Sequence, residues 1–229
     1  MAIQLVTGPP GNGKSFFAVR KIALALSAGK CVVTNVDLRP DWAELVANKG
    51  WRRFSKRARR RRVAQLHRRV HVADDLAELL NVRVAGTKEG RAVAVLDEAH
   101  NWMNSRTWSA GDRAAIVKWF TQHRKLGFDV YLIAQDAEML DKQVRVLFEE
   151  HVRLRNLKRA RFCGIPLFPV NLFLAVRYWH TGGAGHNAPI LGRELFPLSW
   201  AKDLYDTMAT HVLEVGEAGG NVVTLPREA

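Results

Sequence analysis

Between a short apolar run, Ile3 to Thr7, and an apolar-faced helical stretch, Lys14 to Ala28, stands Gly8-Pro9-Pro10-Gly11-Asn12-Gly13-Lys14-Ser15. The octapeptide matches G-x-x-x-x-G-K-[ST] in full, and a strand before it and a helix after it are the context that the pattern requires. Glycines let backbone N–H groups turn inward around an anion with no Cβ in the way. The helix beginning near Lys14 aims the positive end of its dipole at the same point. Lys14 brings a compact charge to the β- and γ-phosphates, and the Ser15 hydroxyl is a magnesium ligand. Phe16 completes the expected nucleotide-contacting run.

A chain built around this loop is expected to be α/β, a P-loop fold with a mostly parallel central sheet flanked by helices. The alternation of short apolar runs with helical periodicity agrees. Strands are expected at Cys31 to Val36, Val70 to Ala73, Ala92 to Leu96, Phe128 to Ala134 and Val152 to Leu157. Helices are expected at Asp41 to Asn48, Asp74 to Leu80, from Asp112 to a stop at Gly127, and at Leu140 to Phe148. Gly86 to Gly90 reads as a turn. Beyond Phe162 proline, glycine and aromatics dominate, and Gly182 to Gly185 reads as a loop. The expected organisation is a P-loop domain over 1–160, with a basic helical insertion at about 50–70, and a C-terminal extension over 161–229.

Val93-Ala94-Val95-Leu96-Asp97-Glu98 supplies the second half of a phosphate-transfer site. A fully apolar strand ending in Asp delivers a carboxylate to the carboxyl edge of the sheet, where ligands bind in open α/β folds. Asp97 can then hold magnesium while Glu98 acts as general base on the attacking water. The same pair suits a helix N-cap followed by a first-turn acid, and the two roles are compatible. An extra strand between loop and acids, with Glu98 beside Asp97, points to the additional-strand, catalytic-glutamate class and to hydrolysis.

The net charge is +13, and 52–69 alone holds ten Lys or Arg and no acid, so that outside it the charge is +3. Arg59 to Arg62 would point all around a helix. Such a run is a solvated insertion helix, a sequence-blind nucleic-acid contact or a dock for anionic head groups. A second cluster, Arg153, Arg155, Lys158, Arg159 and Arg161, alternates along the late strand and is expected to extend the same basic surface. No stretch reaches the roughly 20 apolar residues of a membrane span. Gly164 to Val176 is too short and is broken by Pro166 and Pro169. Cys31 and Cys163 lack metal-type spacing and read as inert thiols in a reducing compartment. The amino terminus lacks a signal-peptide pattern.

Taken in order, VTGPPGNGKSFFAV, VVTNVDL at Val32 to Leu38, VLDEAHNW and WFTQHRKLGFDVYLIAQD at Trp119 to Asp136 resemble the ATPase domain of the zonula occludens toxin family. That family includes filamentous-phage assembly proteins and is related to the FtsK/HerA translocases; the resemblance covers roughly residues 2 to 150. It implies ATP as nucleotide, with Mg2+, and a role for Gln135 as a polar sensor at the end of the strand beside Asp97. A strand-end amide bonding nearby backbone is the alternative. It also implies an arginine finger for a neighbouring subunit, either Arg145 or Arg124, each of which could instead form a structural ion pair. His123, on the apolar stripe of its helix, reads as a packed core residue. The implied function is an ATP-driven motor in phage or episome DNA export or virion assembly, acting as a homo-oligomer with DNA or a membrane assembly complex. A nucleotide-gated binding protein with slow hydrolysis is the rival. Phage members commonly continue into a membrane span that this sequence lacks, which leaves a truncated form, a soluble variant that reaches the membrane through a partner, or a motor with another job. The expected location is cytoplasmic, with or without peripheral attachment at the inner face of the membrane.

Overall fold

The computed structural model describes residues 2–48, 55–84, 90–103, 110–159, 161–162, 165–166, 170–180 and 188–205. In chain order the elements are β1 (Ile3–Thr7), α1 (Lys14–Ser27), β2 (Cys31–Thr34), α2 (Trp42–Asn48), α3 (Lys56–His67), β3 (Val70–Val72), α4 (Leu76–Asn81) and β4 (Ala92–Leu96). There follow α5 (Ala110–Leu126), β5 (Phe128–Ala134), a single turn α6 (Lys142–Arg145), β6 (Glu150–Asn156), a short hairpin of β7 (Arg161–Phe162) and β8 (Ile165–Pro166), β9 (Leu172–Trp179) and β10 (Ile190–Pro197). The main sheet runs β10-β9-β6-β1-β5-β4-β2-β3. Six strands from β3 to β6 are parallel, and β9 and β10 add to β6 antiparallel.

The central strands are apolar on both faces because helices cover both. One core joins Phe16, Phe17, Val19 and Ile22 of α1 to Val6, Val95 and Leu154, with Trp42, Val46 and Leu66 from α2 and α3. The other packs Ile116, Trp119 and Phe120 of α5 on Leu5, Leu96 and Leu132. His123 lies in that stripe at 4% exposure, and its Nδ1 donates to the Phe120 carbonyl at 2.6 Å.

Three expectations change. Leu140 to Phe148 is not one helix: a 3-10 turn at Ala137–Met139 and the four residues of α6 replace it. Leu140, Val144 and Phe148 are buried at helical spacing, but Leu147 and Phe148 bond back three residues, tightening the turn so that Glu149 joins Ile3 at the start of the sheet. β2 stops at Thr34 rather than Val36. The Thr34 hydroxyl donates to the Val95 carbonyl at 2.7 Å and accepts from the Val36 N–H at 3.1 Å, diverting the main chain from the ladder. The two basic clusters do not share a surface. Leu66 of α3 packs into the α1-side core, as do Val152 and Leu154 of β6, so strand alternation puts Arg153 and Arg155 on the opposite face. Gly86, the Gly182 to Gly185 loop and Cys163 lie outside the described residues.

Candidate functional site

β1 ends at Thr7 on the carboxyl edge of the sheet, and the loop from Gly8 turns there into α1. Gly13, the residue before α1, has φ 82°, and a Cβ on it would collide with the Phe173 ring. Gly8 is tight for another reason: a Cβ there would sit 2.9 Å from the Leu154 carbonyl oxygen of β6. Asn12, also buried, donates from Nδ2 to that carbonyl at 3.3 Å. The loop therefore rests on β6. Lys14 is 8% exposed and spans the loop, donating from Nζ to the Gly8 carbonyl at 2.8 Å. The start of α1 has no side-chain cap and no acid in its first turn. Its N–H groups and Lys14 together fit a phosphate group, the acceptor that such an end lacks. The Phe16 side chain turns into the core against Phe173 and Phe196, so only its main chain is left for a ligand. Pro9 and Pro10 form the exposed crest of the loop with Gly11.

β4 delivers Asp97 and Glu98 to the same edge. Asn35, just beyond β2, accepts the Asp97 N–H at Oδ1 and donates to the Asp97 carbonyl from Nδ2, both at 2.8 Å. Asp97 Oδ1 in turn accepts the Glu98 N–H at 2.9 Å. Glu98 has φ 47°, the only positive φ of a non-glycine residue among those described. A left-handed conformation costs about 1–2 kcal/mol for such a residue, and strain of this kind clusters where function requires a side chain to be aimed. Its carboxylate is 41% exposed and lies 3.3 Å from His100 Nδ1. Burial, and then the Asp97 charge, push the Tyr205 phenol above its ordinary pKa, which places Tyr205 in the electrostatic neighbourhood of Asp97.

β5 lies between β1 and β4 and ends beside Gln135, which is exposed. Gln135, Thr7, Gly8, Asn12, Arg145 and His151 line an open cleft of about 1080 Å³. Arg145 is half-buried there, and its Nε has no hydrogen-bond partner among the described residues. Arg124 is not part of this gathering. It lies at the end of α5, on the amino edge of the sheet, and binds Glu149 at 2.6 Å. His151 Nε2 and Thr7 Oγ1 are 2.7 Å apart. Burial, then Arg153 and His180, lower the His151 pKa to about 4, so the ring is neutral near pH 7.

The residues that sequence reasoning missed are Asn35, Tyr205 and His151. Asn35 stands in the quoted VVTNVDL run, where an amide directly after a β-branched strand was the available signal. Tyr205 and His151 reach the site only through tertiary pairing.

Which strand separates the phosphate loop from the acids distinguishes one P-loop architecture from another, and here it is β5. The chain has the additional-strand P-loop NTPase fold. A solved DnaB-like replicative helicase shares that fold, at 11% identity and a TM-score of 0.54, over 87% of this chain and 57% of that one.

The chain belongs to the zonular occludens toxin (Zot) family, whose model matches residues 2–165. It is 36% identical over 152 residues to the Gene 1 protein of Enterobacteria phage I2-2, covering 66% of this chain and 39% of that protein. The Gene 1 protein of Enterobacteria phage M13 is 35% identical over the same length, 41% of its own. The chain thus spans about two fifths of the length of these relatives.

Proposed function

We propose that this chain binds Mg-ATP on Gly8 to Ser15 and hydrolyses it, driving a step of phage assembly or DNA export as a homo-oligomer. The observation that carries the reading is the convergence of Lys14, Asp97, Glu98 and Gln135 on one edge of three consecutive strands, β1, β5 and β4. Lys14 and the first-turn N–H groups of α1 hold the phosphates, and Glu98 takes the proton of the attacking water while Gln135 orients it. Ser15 and Asp97 would hold magnesium, which neutralises charge on the phosphates being transferred. Their hard oxygens suit that ion. No cluster of three or more His, Cys, Asp or Glu exists among the described residues, and magnesium needs only one or two carboxylates beside phosphates and water.

Membership of the Zot family and the similarity to phage Gene 1 proteins support the assembly role. No helix among the described residues is long and apolar enough to cross a membrane. α3, with Lys56, Arg57, Arg60, Arg61 and Arg68 exposed and Arg59 paired with Glu44, supports docking on DNA or on an anionic membrane complex. Arg145, inside the cleft, and Arg124, exposed on the opposite edge, remain the two candidates for a finger between neighbouring copies.

Phosphate release from Mg-ATP, measured with and without DNA, tests the proposal. Turnover that rises several-fold with DNA supports a motor, and absence of any turnover contradicts hydrolysis.

A further inference from the structure

β6, β9 and β10 bury one face in the core under α1 and leave most of the other open, with Val176 buried and His151 half-buried on it. Val152, Leu154, Phe173, Ala175 and Phe196 belong to the core under α1, whereas the core under α5 contains no residue of these three strands. The register sets out the other face in rows: Arg155 beside Leu174 and Leu195, Arg153 beside Val176 and Arg193, His151 beside Tyr178 and Ile190. Arg153, Arg155 and Arg193 are exposed, Leu195 is 60% and Ile190 48% exposed, and Leu174 and Tyr178 are half-exposed. The Arg153 guanidinium lies 5.4 Å from the centre of the Tyr178 ring. The acids of these strands, Glu150 and Glu194, lie on the buried-face side, where Arg177 and Arg20 pair with them. Three arginines thus share a sheet face with apolar and aromatic side chains and with no acid from the same strands.

We propose that this face is a platform for single-stranded nucleic acid, with phosphates on Arg153, Arg155 and Arg193 and bases over Leu174, Tyr178 and Leu195. A positively charged surface with an aromatic ring between its cations binds single strands without reading sequence. Tyr178 is that ring here, with Leu174 and Leu195 as apolar contacts beside it. Arg153 and Arg155 stand about 7 Å apart along β6, and Arg193 lies two strands away, about 10 Å across the sheet. A duplex hides its base faces inside the stack and could use only the charges.

The position of the platform gives it a consequence at the nucleotide. Arg153 and Arg155 flank Leu154, the residue whose carbonyl receives Asn12 and bears on Gly8. The cleft beside the loop continues the surface through Lys142 and Arg145, with Asp136 and Glu138 on its rim. A strand held on β6 therefore acts on the support of the phosphate loop, and by linkage each ligand alters the affinity of the other by the same factor. That coupling rests on the nucleotide reading above; the binding itself does not.

The test is fluorescence anisotropy of a labelled oligothymidylate against the same length of duplex, at low and raised salt, with circular dichroism on every variant. The oligothymidylate should bind more tightly than duplex. Arg155→Ser with Arg193→Ser should weaken it at least about tenfold and lower the salt slope by about 1.4, while the two Lys replacements keep it within about threefold. Arg60→Ser with Arg61→Ser, on the other face, should change oligothymidylate binding less than twofold. Lys14→Ala should lose nucleotide yet still bind the strand, which separates failure of the platform from failure of the nucleotide site. Wild-type affinity in the folded serine pair, or preference for duplex that persists in Arg60→Ser with Arg61→Ser, overturns the proposal.

Discussion

The side-chain amide of Asn35 hydrogen-bonds both main-chain polar groups of Asp97, standing in for the next rung of the β2–β4 ladder after β2 has ended. A strand that stopped at Thr34 would leave Asp97 on a loose loop. The amide instead fixes its backbone where the sheet edge meets the phosphate loop.

Removing that amide should therefore act on stability and turnover together. Asn35→Ala leaves the part-buried N–H and carbonyl of Asp97 without their partner, a cost of about 2–3 kcal/mol. Urea unfolding should show that loss, and ATP turnover should fall at least about tenfold, the scale of a displaced catalytic group. Wild-type stability and turnover in this variant would show that Asp97 is held some other way.

Glu98→Gln keeps the shape of the residue and removes the carboxylate proposed as base. It should retain Mg-ATP binding and hydrolyse at least about a hundredfold more slowly, the range for a lost general base. Nucleotide binding by equilibrium dialysis and phosphate release measured on one preparation check both halves. Normal hydrolysis would leave Glu98 as a strained first-turn acid with another residue as base.

The neutral state of His151 gives a pH signature. Its folded pKa lies near 4, against the ordinary 6.5, so between those values the unfolded chain binds the extra proton and the folded chain does not. This group therefore lowers stability as pH falls from about 6.5 towards about 4 and contributes nothing above that window. His151→Gln can still meet the Thr7 hydroxyl and should flatten the thermal stability profile across that range. Equal slopes in the two proteins would place His151 outside this linkage.

α3 should matter for docking and not for chemistry. Replacing Arg59 to Arg62 with serine should weaken duplex DNA or anionic-vesicle binding at least about tenfold, because each lost cation removes a salt-sensitive phosphate contact. Basal ATP turnover should stay within about twofold. Parallel titrations with both ligands decide which one α3 serves, and absence of binding to either by wild-type protein at low salt would make it a solvated helix.

What could be read from the sequence follows the range of the forces involved. The glycine loop, Lys14 and the strand ending at Asp97 are local patterns whose chemistry tolerates few alternatives. β5 runs over the expected Phe128 to Ala134 because a glycine precedes a run that is apolar but for Asp129. The eight-residue strands β9 and β10 left no comparable trace. Their side chains face a core on one side and solvent on the other, interrupted by Arg177, Gly192 and Arg193, and their pairing depends on β6. The seating of Gly8 and Asn12 on Leu154 was illegible for the same reason, being a contact between residues more than 140 positions apart. Helical spacing at Leu140, Val144 and Phe148 misled because burial alone produced it.

If Gly8 to Ser15 is a working phosphate site, Lys14→Ala should disable it. Lys14 is buried at the start of α1 and lies across the loop, so no other described side chain on that loop can supply its charge. Mg-ATP turnover of wild type and Lys14→Ala should be compared at saturating nucleotide, with nucleotide binding followed alongside. Hydrolysis should be measurable in the first protein and absent, with binding lost or sharply weakened, in the second. Wild-type turnover in Lys14→Ala would contradict a phosphate site there.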